Sequence, residues 1–131
     1  MKNLKLIIVL FSTMVLCMAT TCEDDTPSNC EERLESLAEL KIEIESLVNT
    51  SVCNENTSCR YMAFGSKPCG GPWSYLIYST SIDTLELKRL VDIYNDNEEI
   101  YNIKCDAISD CAFVNPPIGF DCENNICIPV Y

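Results

Sequence analysis

The chain contains no histidine. That removes the commonest general base and the usual imidazole metal ligand, and with them every serine–histidine or cysteine–histidine nucleophile system built from this chain alone. No Cys-x-x-Cys spacing occurs among its 10 cysteines, so a thioredoxin-like redox pair has no basis here. No apolar run reaches the ~18 residues that a membrane-spanning helix needs. Basic residues are scarce, 9 against 20 acidic, for a net charge of −11. Such a surface repels phosphate backbones and anionic headgroups, which excludes nucleic acid as a partner. Glycine is also rare, with 4 in 131 residues, and there is a single tryptophan.

What the chain does have begins at its N-terminus. Met1-Lys2-Asn3-Leu4-Lys5 is a short basic segment, and Leu6 to Leu16 is apolar apart from Ser12 and Thr13. This is the pattern of a signal-peptide h-region. Processing after Ala19 leaves nine cysteines, an odd number for an exported chain. Processing before Cys22, with a lipid on its sulfur, leaves eight that can pair completely: Cys30, Cys53, Cys59, Cys69, Cys105, Cys111, Cys122 and Cys127. Ala19-Thr20-Thr21-Cys22 is a degenerate form of the lipoprotein processing site, and Cys22-Glu23-Asp24-Asp25 resembles the start of surface lipoproteins of the Bacteroidota. The resemblance implies attachment to a membrane through a lipid on Cys22, at the outer membrane or cell surface. The other cleavage would give a secreted or periplasmic soluble protein. Loss of Lys2 and Lys5 leaves 7 basic and 20 acidic residues, a net charge of −13. The organisation expected is a signal peptide over residues 1–21, an acidic tether over 22–29 and one domain over 30–131.

Within that domain Ser28 is placed to cap a helix, with Glu31 as its capping-box partner. Cys30, Leu34, Leu37, Ala38, Ile44, Leu47 and Val48 recur at helical spacing and predict an apolar face running to about Val48. Arg60–Phe64 and Tyr75–Tyr78 read as strands, and Ala112–Val114 as another. Asp83 with Glu86 predicts a second capped helix with Leu87, Leu90, Val91 and Tyr94 inside, ending at Asn95-Asp96-Asn97. The oxygen-rich run Asp92 to Glu99 lacks the glycine and the alternation of a calcium loop, so it reads as the solvated end of that helix. Asn124-Asn125 suits a two-residue hairpin turn, which sets Cys122 opposite Cys127 at a separation a disulfide accepts. The pair Cys122–Cys127 is therefore expected. The fold class predicted is α+β: two helices on a short antiparallel sheet, held by disulfides because ~100 residues build only a modest core.

One stretch gathers the unusual residues. Phe64-Gly65-Ser66-Lys67-Pro68-Cys69-Gly70-Gly71-Pro72-Trp73 holds three of the glycines, two prolines and the tryptophan around one cysteine. Gly70-Gly71 permits backbone angles that other residues resist, and the prolines stiffen both sides. The motif from Lys67 to Pro72 resembles one found in small exported bacterial cysteine-rich proteins of unassigned function, which implies a shared disulfide domain and no activity. Two readings stand for this stretch. Trp73 fills a small core, or Lys67, Gly70, Gly71, Trp73 and Tyr75 form a stiff contact loop for a protein partner. Acid pairs such as Asp106 and Asp110 are unavoidable in so acidic a chain, so no catalytic residue, metal ligand or cofactor is assigned. The function expected is a non-enzymatic binding or structural module of the cell envelope, or alternatively a protease inhibitor presenting the loop around Lys67.

Overall fold

The computed structural model describes residues 29–131. The signal segment, Cys22 and the tether up to residue 28 lie outside the described residues. Helix α1 spans Cys30–Asn49. Its N-cap is Asn29, one residue later than expected, whose Oδ1 accepts the backbone N–H of Glu32 at 2.7 Å. Asparagine caps as well as serine does. The inward stripe is Leu37, Leu40, Ile44, Leu47 and Val48. Cys30, Leu34 and Ala38 are exposed instead: Cys30 is the first residue of the helix, and Leu40 rather than Ala38 completes the three-and-four spacing between Leu37 and Ile44.

Helix α2 spans Thr84–Lys104, capped by Asp83, which accepts from Leu85 and Glu86 at 3.0 Å each. The stop expected at Asn95-Asp96-Asn97 does not occur. Asn95 turns its side chain to the neighbouring loop. It therefore does not compete with its own helix backbone, which is how asparagine ordinarily ends a helix. Leu87, Leu90, Val91 and Tyr94 are buried as anticipated.

Strands β1 (Cys59–Phe64) and β2 (Ser74–Ser79) form one antiparallel hairpin. Strands β3 (Gly119–Glu123) and β4 (Ile126–Val130) form a second. The α+β class is as predicted, with the sheet divided into two separate two-stranded units. Met62, Phe64, Leu76 and Tyr78 face the helices and join Leu37, Ile44, Leu87 and Val91 in the core. The opposite face of this hairpin carries Cys59, Tyr61 and Tyr75, and the β3–β4 hairpin lies against it. The rings of Tyr61 and Phe120 are 6.2 Å apart across that boundary. The layers therefore run helices, first hairpin, second hairpin. Ala112–Val114 is not a strand. It has no strand to pair with, and Phe113 is largely in solvent.

The second hairpin turns at Asn124-Asn125, with φ of 51° and 64°, the left-handed pair that a two-residue turn requires. Cys122 stands opposite Cys127 as expected, but they are not bonded to each other. Facing residues of a ladder point to the same side, and here that side meets the first hairpin. Each sulfur finds a partner on that side: Cys127 bonds Cys59 at the start of β1, and Cys122 bonds Cys53 in the segment leading from α1 to β1, with Cα separations of 5.7 and 6.0 Å. A bond between Cys122 and Cys127 would join residues the ladder already holds together. The observed pairs close loops of 69 and 68 residues, each worth about 4 kcal/mol in the chain-entropy account. Cys30–Cys105 ties the start of α1 to the end of α2, and Cys69–Cys111 joins two loops. Four bridges mark a domain that matures in an oxidising, extracytoplasmic compartment. Among the described residues no helix is long and apolar enough to cross a membrane.

Candidate functional site

The loop from Phe64 to Trp73 leaves β1 and returns to β2. Its neck is closed by the N–H of Trp73 donating to the carbonyl of Phe64 at 3.0 Å. Its tip is closed by Lys67 donating to Gly71 and Gly70 donating to Lys67, both at 2.8 Å. Gly70 and Gly71 take φ of 89° and 82° with open space around them, so their role is conformational. Gly65 has φ of 82° and no room as well. A methyl group there would lie 2.6 Å from Cδ1 of Trp73 and 2.9 Å from Oε2 of Glu98.

Helix α2 holds this loop from one side. Asn95 Oδ1 accepts the N–H of Gly65 at 2.7 Å, and its Nδ2 donates to the carbonyl of Ala63 at 3.3 Å. Glu98 accepts the N–H of Ser66, and Asn102 donates to the carbonyl of Ser66 at 2.7 Å. The sequence reading places Asn95 at the expected end of the helix and Glu98 in its solvated oxygen-rich run, and it does not single out Asn102. Their signal was present: they continue the buried stripe of α2 at helical spacing, Asn95 four residues after Val91, then Glu98 and Asn102. Polar residues prolonging an apolar stripe are a helix face meeting backbone rather than side chains.

Lys67 is the unexpected member. It is 6% exposed, and its ammonium donates to the carbonyl of Ala112 at 2.6 Å and to Asp110 at 3.3 Å. It also lies 5.0 Å from the centre of the Trp73 ring, within the range of a cation–π contact. The carboxyl of Asp110 is held below its ordinary range, first by the N–H of Ala112 and then by Lys67. Trp73 is 40% exposed and stands outside the core cluster. Tyr75 is half-buried, its ring edge-on to Tyr61 at 5.3 Å. Of the candidate contact residues, Gly70, Gly71 and Trp73 are thus exposed, Tyr75 turns toward the second hairpin, and Lys67 faces inward.

Beside Trp73 a cavity of about 200 Å³ is bounded by Phe64, Gly65, Tyr94, Glu98 and Lys41. Burial pushes the carboxyl of Glu98 upward against the pull of the Ser66 N–H, the Tyr94 hydroxyl and Lys41. Burial, reinforced by the charge of Glu98, pushes Tyr94 up to about 12. In both groups burial is the largest cause, and the Tyr94 ring is stacked on Phe64 with centroids 4.5 Å apart. Elsewhere the sulfurs of Cys53, Cys59 and Cys127 lie within 4.8 Å of one another. All three are in disulfides, so this grouping is two adjacent bridges with no thiolate to offer a metal. No family model, curated protein or solved structure matches the chain.

Proposed function

We propose that the chain is a non-enzymatic, lipid-anchored exported protein of the outer membrane or cell surface, a binding or structural module whose contact surface is the open side of the Gly65–Trp73 loop. The observation that carries this reading is the hold of α2 on the loop. Asn95, Glu98 and Asn102 fix the backbone of Ala63, Gly65 and Ser66, while Cys69–Cys111 pins the tip. A loop ordered in advance loses little entropy when it binds, and a half-exposed tryptophan is a natural anchor for a protein partner. The anchor reading rests on Cys22 and on parity: the eight cysteines that follow it are all paired.

The burial of Lys67 weighs against a protease inhibitor that presents that side chain. Trypsin-like protease inhibition that disappears in Lys67→Ala would reinstate the inhibitor. For the binding reading, envelope extract is passed over the immobilised domain and over its Trp73→Ala variant. A protein retained by the first and lost from the second is the expected result. A partner retained equally by both would remove the loop from the contact. Cys22→Ala should move the full chain from the membrane to the soluble fraction, and unchanged partition would eliminate the anchor.

A further inference from the structure

Four disulfides hold the described domain, but their surroundings differ. Cys53 is buried, Cys59, Cys127 and Cys105 are half-buried, and only Cys69–Cys111 has both residues exposed. Each of the other three bridges therefore offers a reductant at most one open side. Cys69 and Cys111 also sit on loops rather than at the ends of paired elements.

The segment that Cys111 belongs to has few other ties. After Ala107, which donates to Asn102 at 3.2 Å, the next backbone hydrogen bond to the body of the domain is Ile118 to Val130. Between them Ser109, Asp110 and Cys111 bond mainly among near neighbours. What joins this stretch to the Lys67 loop is the disulfide, the ammonium of Lys67 on Asp110 and Ala112, and the Ser109 hydroxyl beside Cys69. In a disulfide the sulfur carries no hydrogen, so Ser109 is the donor, 3.3 Å from Sγ of Cys69 and 3.9 Å from Sγ of Cys111.

We propose that Cys69–Cys111 is a site of thiol–disulfide exchange, with Cys69 as the leaving sulfur, and that the other three bridges are structural. The co-reactant is a dithiol. One of its thiolates attacks Sγ of Cys111, the Cys69–Cys111 bond breaks, and its electron pair leaves on Cys69 as a thiolate that accepts the Ser109 hydroxyl and then a proton. The second thiol of the reductant displaces Cys111 from the mixed disulfide. The protein gains two electrons and two protons, and the dithiol becomes a disulfide. A hydrogen bond to the departing sulfur stabilises it as thiolate, and a better leaving thiolate speeds exchange. Opening this bridge loosens the 108–117 stretch from the Lys67 loop, leaving the ammonium of Lys67 and the Ser109 hydroxyl beside Cys69 as the remaining ties. The proposal is independent of what the loop binds.

Native protein is titrated with dithiothreitol without denaturant, thiols are trapped by alkylation, and the labelled peptides are mapped while Trp73 emission is followed. Cys69 and Cys111 are expected to label at a dithiothreitol concentration at least about tenfold below that for the other six, with the emission changing at the same point because Lys67 lies over the indole. Ser109→Ala is expected to open the bridge about threefold more slowly. Earlier opening of another pair, or simultaneous appearance of all eight thiols, would overturn the exchange site. An unchanged rate in Ser109→Ala would overturn Cys69 as the leaving sulfur.

Discussion

Gly65→Ala is the substitution whose consequence the geometry states most sharply. At φ of 82° an alanine occupies the left-handed region at a cost of about 1–2 kcal/mol. Its methyl would also lie 2.6 Å from Cδ1 and 3.2 Å from Cβ of Trp73, and 2.9 Å from Oε2 of Glu98. None of these gives way freely: the indole is held by its contact with Lys67, and the carboxylate by the N–H of Ser66. Overpacking of this kind costs about 1–3 kcal/mol, for a total of about 2–5 kcal/mol. Gly71→Ala separates the two contributions, because its φ is also 82° but nothing lies within 4 Å of the added methyl. It should lose only the backbone part, about 1–2 kcal/mol. Guanidinium unfolding with the disulfides intact, followed by the single tryptophan and by helical circular dichroism, measures both. Equal losses in the two variants would refute the packing of Trp73 and Glu98 over Gly65. No loss in either would refute the loop conformation itself.

Three further outcomes follow from the same contacts. Lys67→Met removes the hydrogen bonds to Ala112 and Asp110 and should cost about 1–3 kcal/mol. It should also let the Asp110 carboxyl, followed by NMR, rise only part of the way to its ordinary value, since the N–H of Ala112 is the larger cause; a complete return would contradict that order. Because the folded state raises the Glu98 carboxyl, its stabilising contribution is full below the usual carboxylate range and is lost as pH rises through the raised value. The wild type should therefore gain on Glu98→Gln as unfolding is measured from pH 7 down toward 4.5, and a flat difference would exclude the enclosed carboxyl. Non-reducing peptide mapping should recover Cys53 with Cys122 and Cys59 with Cys127, and a native Cys122–Cys127 peptide would overturn the pairing of the second hairpin with the segment from Cys53 to Cys59.

Features decided within a few residues of chain were readable in advance. Asp83 capping α2, the strand at Tyr75–Tyr78 and the Asn124-Asn125 turn each depend on local backbone preferences, and each stands where local chemistry places it. The length of α2 was not readable from Asn95, because what keeps that residue in the helix is a loop some thirty residues earlier in the chain. The register that sets Cys122 against Cys127 was legible, yet the partner of each sulfur was not, since it depends on the first hairpin and the segment leading into it lying across that face. Lys67 shows the same limit from the other direction. Flanked by proline and serine in a turn, it has every local mark of a solvent-facing lysine, and its burial is imposed by Asp110 and Ala112 from a distant segment.

The bridge between Cys30 and Cys105 changes how the domain would carry load. A pull entering ahead of Cys30 does not travel along α1, because the first residue of that helix is bonded to the residue that follows α2. Tension passes straight across to Cys105, and everything between the two cysteines is bypassed. The slack that force can draw out from Cys30 to Tyr131 is then at most the stretch beyond Cys105, roughly 90 Å fully extended, against roughly 340 Å for the same chain without bridges. Tethered by its N-terminal side, the domain would behave as a short, nearly inextensible link whose helical core is shielded from the strain.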